Sequence, residues 1–212
     1  MTAKELYYEK RAAVLVKNLK ARHFEACYSA TREEALAKAL EWIPQGASIG
    51  WGGCVTAQQI GLFDAIRSGN YRPIDRDKCT TAKEREQAMK QAMLADVFIT
   101  GANALSMDGC MVNIDGTGNR VAPIVYGPER VIVIAGMNKV CDTLDAAMDR
   151  ARKVAAPMNV QRFEGKKTPC AVTAVCGDCK SVDCICNHIL ITRHCRPEGR
   201  IQFILVGEEL GF

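Results

Sequence analysis

Apolar and polar positions along this chain follow two periods. From Thr2 to about Arg22, residues Leu6, Tyr7, Val14, Leu15 and Leu19 recur at helical spacing, which predicts an amphipathic opening helix. Five short apolar runs predict strands: HFEACYSA at 23–30, ASIGWGGC at 47–54, ADVFITGANAL at 95–105, RVIVIAG at 130–136 and RIQFILVGEELGF at 200–212. Helical stretches lie between them. Thr31 with Glu34, and Thr81 with Glu84, have capping-box spacing, in which each side chain satisfies a free amide at a helix start. The first of these helices runs to Trp42, before Pro44 and Gly46. TAQQIGLFDAIRSG at 56–69 predicts one helix ending at Gly69, and TLDAAMDRARKVAA at 143–156 another, stopped by Pro157. DGCMVNIDGTGNRVA predicts a hairpin with Asp115-Gly116 at its bend.

Short apolar strands alternating with helices of roughly 10–15 residues define an α/β fold with a largely parallel sheet flanked by helices. In such sheets ligands bind at the carboxyl ends of the strands. Three polar loops fall there: GWGGCVT, TGANALSMDG and GMNK each follow an apolar run. The organisation expected is one α/β domain over residues 1–165. A cysteine-rich extension over 166–212 then returns a last strand to it.

Charge narrows the function classes. The 212 residues carry a net charge of +4, with Lys166-Lys167 the nearest approach to a basic patch, and 6% are aromatic. Nucleic-acid binding needs a concentrated positive footprint, which this sequence lacks. No apolar stretch is long enough to span a membrane, and the N-terminal residues mix charges into every turn, unlike a secretory signal. Eleven cysteines without such a signal point to a reducing cytoplasm, and an odd count argues against a closed disulfide framework.

Cysteine usage changes the picture most. Cys170, Cys176, Cys179, Cys184 and Cys186 fall within 17 residues, and Cys195 follows. A core has no need of thiols at that density. Crowded thiolates repel each other unless a cation or cluster gathers them, so a metal or iron–sulfur site is the leading local expectation. Cys176 and Cys179 have the spacing of a bidentate pair, with Gly177 between them. The second such pair of a zinc knuckle is missing, and the irregular spacing suits a [4Fe–4S] cluster better, with zinc or free redox-sensing thiols as alternatives. His188 and His194 stand nearby as further donors. Cys54, in the glycine-rich turn, is a candidate reactive thiol because a helix start lowers a thiol's pKa.

The motifs GWGGCVTAQQIG, TGANALSMDGCMVNIDGTGNRVAPIVYGP and VIVIAGMNKV, in that order, resemble the LUD-domain family of lactate utilization proteins. The resemblance implies a fold like that of sugar-phosphate isomerases, coenzyme A transferases and formyltetrahydrofolate cyclo-ligases. Some relatives act beside iron–sulfur subunits in oxidising lactate to pyruvate. The resemblance also implies the ligand set Cys170, Cys176, Cys179 and Cys186. Cys184 departs from the family pattern, in which a basic residue is usual.

The loop residues carry a second expectation. Gly52 and Gly53 let a ligand approach backbone amides, or simply make a tight turn. Thr56 follows near a helix start, where an anion is favoured. Asn103 and Asp108 occupy the loop after a buried run, while Asn113 and Asp115 have ready explanations as turn formers. Asn119-Arg120 offers a planar fork suited to carboxylate or phosphate, unless Arg120 forms a surface ion pair. Asn138-Lys139 ends another apolar run, where Lys139 either neutralises an anion or points to solvent.

These residues frame a protein that binds a small anionic metabolite and passes electrons through an iron–sulfur site to a partner protein. Two rivals remain: a non-redox enzyme acting on a phosphosugar, an acyl-coenzyme A or a folate with structural zinc, and a thiol-based regulatory subunit. The apolar face of the first helix also offers a surface for homo-oligomerisation.

Overall fold

The computed structural model describes residues 1–212. Its centre is a six-stranded sheet in which every pairing is parallel. The strands are β1 (Glu25–Ser29), β2 (Ser48–Trp51), β3 (Arg72–Pro73), β4 (Val97–Gly101), β7 (Arg130–Gly136) and β10 (Ile201–Val206), in the order β1-β10-β7-β4-β2-β3. A smaller mixed sheet holds β5 (Ala104–Ser106), β6 (Met111–Asp115), β8 (Val140–Cys141) and β9 (His188–Thr192), in the order β8-β5-β6-β9.

The apolar runs read as continuous because both faces of the large sheet are covered. Along β7, Val131 and Val133 face one core with Phe24, Phe98 and Phe203, together with Leu15 and Leu19 of α1 (Ala3–Ala21). Ile132 and Ile134 face the other, with Ile49, Ile99, Ile204 and the helices α2 (Arg32–Trp42) and α4 (Leu62–Ser68). Strand β10 sits between β1 and β7, so the last strand of the chain is an interior one. Pro73 lies on the edge strand β3, where a missing donor costs least.

The predicted caps form with one adjustment. Thr81 and Glu84 make the full reciprocal box at the start of α5 (Ala82–Ala92). Thr31 accepts from the Glu34 amide, but the Glu34 carboxylate reaches the Ala30 amide instead of closing the box.

Three sequence expectations need correction. The helix expected over 56–69 is two, α3 (Val55–Gln59) and α4, because Gly61 takes a left-handed φ of 78° that breaks the first and opens the second. Asp115-Gly116 is not a hairpin bend. The hairpin joins β5 to β6 around Met107–Gly109, with Gly109 at φ 91°, and Asp115 instead ends β6 ahead of the short helix α6 (Val121–Val125). Pro157 does not stop its helix either. After α7 (Leu144–Arg150) a wide turn over Ala151–Ala155 lets the Ala156 amide reach back five residues to the Ala151 carbonyl, and α8 (Ala156–Val160) continues through the proline. Strand β9 escaped the sequence reading because it is an edge, with Ile189 and Ile191 about half exposed, and shows no buried run.

No helix is long and apolar enough to cross a membrane.

Candidate functional site

The carboxyl ends of β2, β4 and β7, neighbours in the sheet, open onto a cavity of about 590 Å³. Its inner wall comes from the three polar loops. Thr56, buried in the first turn of α3, accepts a hydrogen bond of 3.0 Å from Lys139 Nζ across the floor. Lys139 is 4% exposed and has no carboxylate partner. Burial pulls its pKa down to about 8, opposed by Cys54 and helped by the charges of Arg150 and Arg120. Asn103 Oδ1 accepts from Arg120 at 2.8 Å and from the Ile114 amide at 2.9 Å, which fixes the guanidinium over the cavity. Arg120 also donates to the Ile114 carbonyl at 2.5 Å. The guanidinium donates to neutral oxygens, so a surface ion pair does not account for it, and burial holds its pKa below the usual guanidinium value.

Gly52 does not line the cavity. It makes room for its neighbour, since a Cβ there would stand 2.8 Å from Arg120 Cγ. Gly53 and Asn119 do line it, and Asn119 is held by Thr117 Oγ1 at 2.7 Å. Asp115 is the single acid in the wall, and its Oδ2 is occupied by the Arg120 and Val121 amides at 2.9 and 3.2 Å.

Two further expected residues lie outside the cavity. Asp108 belongs to the β5–β6 turn, paired with Arg22 at 2.7 Å and bonded by Ser106. Asn138 is structural: its side chain accepts from the Leu210 amide at 3.2 Å, tying the chain after β10 to the end of β7. Behind both loops, Arg150 donates to the Asn103 and Asn138 carbonyls at 2.5 and 3.1 Å and locks them together. Cys54 caps α3, its sulfur accepting from the Ala57 amide at 3.4 Å. Burial nevertheless raises its pKa against the pull of Lys139 and the helix amides, so the expected activation is outweighed.

The outer wall was not foreseen. Arg76, Arg85, Arg162 and Lys166 line it, drawn from four separated positions that no local period links. The Arg76 loop is pinned on both sides, by Arg67 Nε to Asp75 Oδ2 at 2.8 Å and by Trp51 Nε1 to Asp77 Oδ2 at 2.8 Å. Arg76 Nε is buried without a hydrogen-bond partner, and burial lowers its pKa.

Cys170, Cys176, Cys179, Cys184 and Cys186 converge on a second, smaller cavity of about 60 Å³, walled also by Arg152, Thr168 and Pro157. Thr168 caps the short helix α9 (Pro169–Thr173) and lies 3.3 Å from Cys170 Sγ. Gly177 passes close to Pro169, whose Cβ would stand 3.0 Å from an added side chain. Burial, with the nearby Cys184, Cys170 and Cys176, pushes the Cys186 thiol up to about 12. That is the electrostatic cost a bound cation would remove.

No three His, Cys, Asp or Glu side chains are gathered as ligands of one metal ion. The thiols ring a space rather than a point. Cys195 stands apart, buried in the core with its sulfur 3.2 Å from the Ile201 amide, and His188 and His194 line neither cavity.

The two cavities share a wall. Ile114, Cys184 and Ile185 line both.

Comparison with known proteins places these features in a family. A family model described as the LUD domain matches residues 12–206. A DUF162 family protein from Deinococcus radiodurans, 8% identical, superposes with a TM-score of 0.52 over 94% of this chain and 97% of that one. Ribose 5-phosphate isomerase A from Neisseria gonorrhoeae is similar over 54% of this chain and 56% of its own, at 18% identity and a TM-score of 0.34. Its counterpart from Methanocaldococcus jannaschii covers 53% and 55%, at 17% identity and the same TM-score. No curated protein matches the chain.

Proposed function

The chain belongs to the LUD-domain family, and from that membership we propose that it is an iron–sulfur redox component binding a small anionic metabolite. The observation that carries this reading is the shared wall: the thiol ring and the cationic cavity both use Ile114, Cys184 and Ile185. An anion held by Lys139 and Arg120 would lie one side-chain layer from a redox centre.

Cys170, Cys176, Cys179 and Cys186 would hold a [4Fe–4S] cluster, which takes up and releases single electrons when bound. The protein's own residues do the rest. Lys139 and Arg120 supply positive charge to a carboxylate or phosphate, and Asn103 orients the guanidinium. Burial strengthens both attractions by excluding water. Lys139, with its pKa drawn down to about 8, is also placed to give or take a proton near neutral pH. Electrons would leave through a partner protein.

Protein purified without oxygen tests the reading. It should be brown, with iron and sulfide in equal amounts and a broad visible absorbance that bleaches on reduction. Colourless protein that takes up no iron on anaerobic reconstitution would overturn it. Stoichiometric zinc in place of iron would favour the non-redox enzyme.

A further inference from the structure

We infer that the cavity is built for a small molecule carrying two separated anionic groups, such as a phosphorylated carboxylic acid, rather than for a monocarboxylate. The inference rests on the anion-binding reading of the cavity and names its substrate class.

Six cationic side chains face the cavity and fall into two groups. The inner one is Lys139 and Arg120, at the ends of β7 and β6. The outer one is Arg76, Arg85, Arg162 and Lys166. Burial chiefly lowers the pKa of Lys139 and of Arg76; Arg120 adds to it at Lys139 against Cys54, and Arg85 and Arg162 add to it at Arg76 against Asp77 and Asp115.

Three acids stand against these six cations. Inside the cavity Asp115 is the sole acid, and it is used by two amides. Beyond the wall, Asp183 stands 3.3 Å from Lys166. Asp77 Oδ1 stands 3.6 Å from Arg76 Nε and 3.9 Å from Arg85, so one carboxylate serves both guanidiniums while its Oδ2 accepts from Trp51. Lys139 is buried with only a hydroxyl for partner, and Arg76 Nε is buried with no hydrogen bond and only the shared Asp77 carboxylate at 3.6 Å. Burying a cation or a donor without a partner is costly, and a bound anion at each group removes that cost.

Size points the same way. About 590 Å³ matches the cavities that enclose whole metabolites, and a three-carbon monocarboxylate would fill a small part of it. Such a ligand would engage the inner group and leave the outer one with two carboxylates for four cations.

Titration calorimetry on anaerobically purified, cluster-loaded protein tests this, with 3-phosphoglycerate as the two-ended probe and lactate and inorganic phosphate as one-ended ones. 3-Phosphoglycerate should bind about tenfold or more tightly than either, the scale of one further charge-assisted hydrogen bond. Arg76→Met should remove most of that advantage while lactate loses less. Equal affinities for the three probes, no saturable binding of 3-phosphoglycerate, or an equal loss for all probes in R76M would each overturn the inference. The comparison on the unaltered protein decides the point even where R76M fails to fold. The visible spectrum of the same samples reports the iron–sulfur reading separately.

Discussion

Lys139 Nζ donates to Thr56 Oγ1 at 3.0 Å, joining residues 83 positions apart at the floor of the cavity. One comes from the end of β7 and the other from the first turn of α3, and the parallel sheet brings the two together. A hydroxyl satisfies one proton of the ammonium without neutralising its charge. The lysine therefore stays available to an anion.

Replacing that lysine should trade function for stability. The displacement from 10.5 to about 8 corresponds to about 3 kcal/mol of destabilisation while the group is charged in both states. Below pH 8 that penalty is fully present. Between about 8 and 10.5 the unfolded chain holds a proton the native state has released, so stability rises with pH, and above 10.5 the penalty is gone. Urea unfolding at neutral pH should show Lys139→Met more stable than the unaltered protein, with the difference shrinking toward pH 10. Its anion affinity should fall, and anion binding to the unaltered protein should weaken as pH rises through about 8. A stability difference that does not change with pH would show that the lysine titrates normally.

The thiols should divide by role. Cys179→Ser removes a proposed ligand and should abolish iron binding and visible colour. Cys184→Ser, at the wall between the cavities, should keep the colour. Iron analysis of the two variants, prepared in parallel without oxygen, checks this. Equal loss from both would make Cys184 a ligand.

Gly52→Ala should act through Arg120. The added methyl would meet Arg120 Cγ at 2.8 Å, and pushing the guanidinium off Asn103 costs roughly 1–3 kcal/mol. Calorimetric affinity for an anion should drop, while a thermal melt records the strain. Unchanged affinity would mean that Arg120 does not take part in binding.

Phe203→Ala tests the final strand. Phe203 is fully buried in β10 and meets Phe24 edge-on, with ring centroids 5.2 Å apart. The lost packing and the cavity left behind should cost about 3–5 kcal/mol in urea unfolding. A loss below 1 kcal/mol would argue against an interior position for β10.

The sequence by itself determined the parallel sheet, because continuous apolar runs such as RVIVIAG are what a strand covered on both faces requires. It also determined that Thr56 would open a helix after one strand and that Asn103 and Lys139 would follow two others, since the strand period breaks there. The tertiary structure decided which of those loops face each other. It sent Asp108 to the pairing with Arg22 and Asn138 to the tail of β10, while Arg76, Arg85, Arg162 and Lys166 met at one cavity. It also set the thiol ring against that cavity through Cys184. A period records only which way a residue points within its own element. Convergence of charge depends on strand order and crossovers, which no local stretch of the chain encodes.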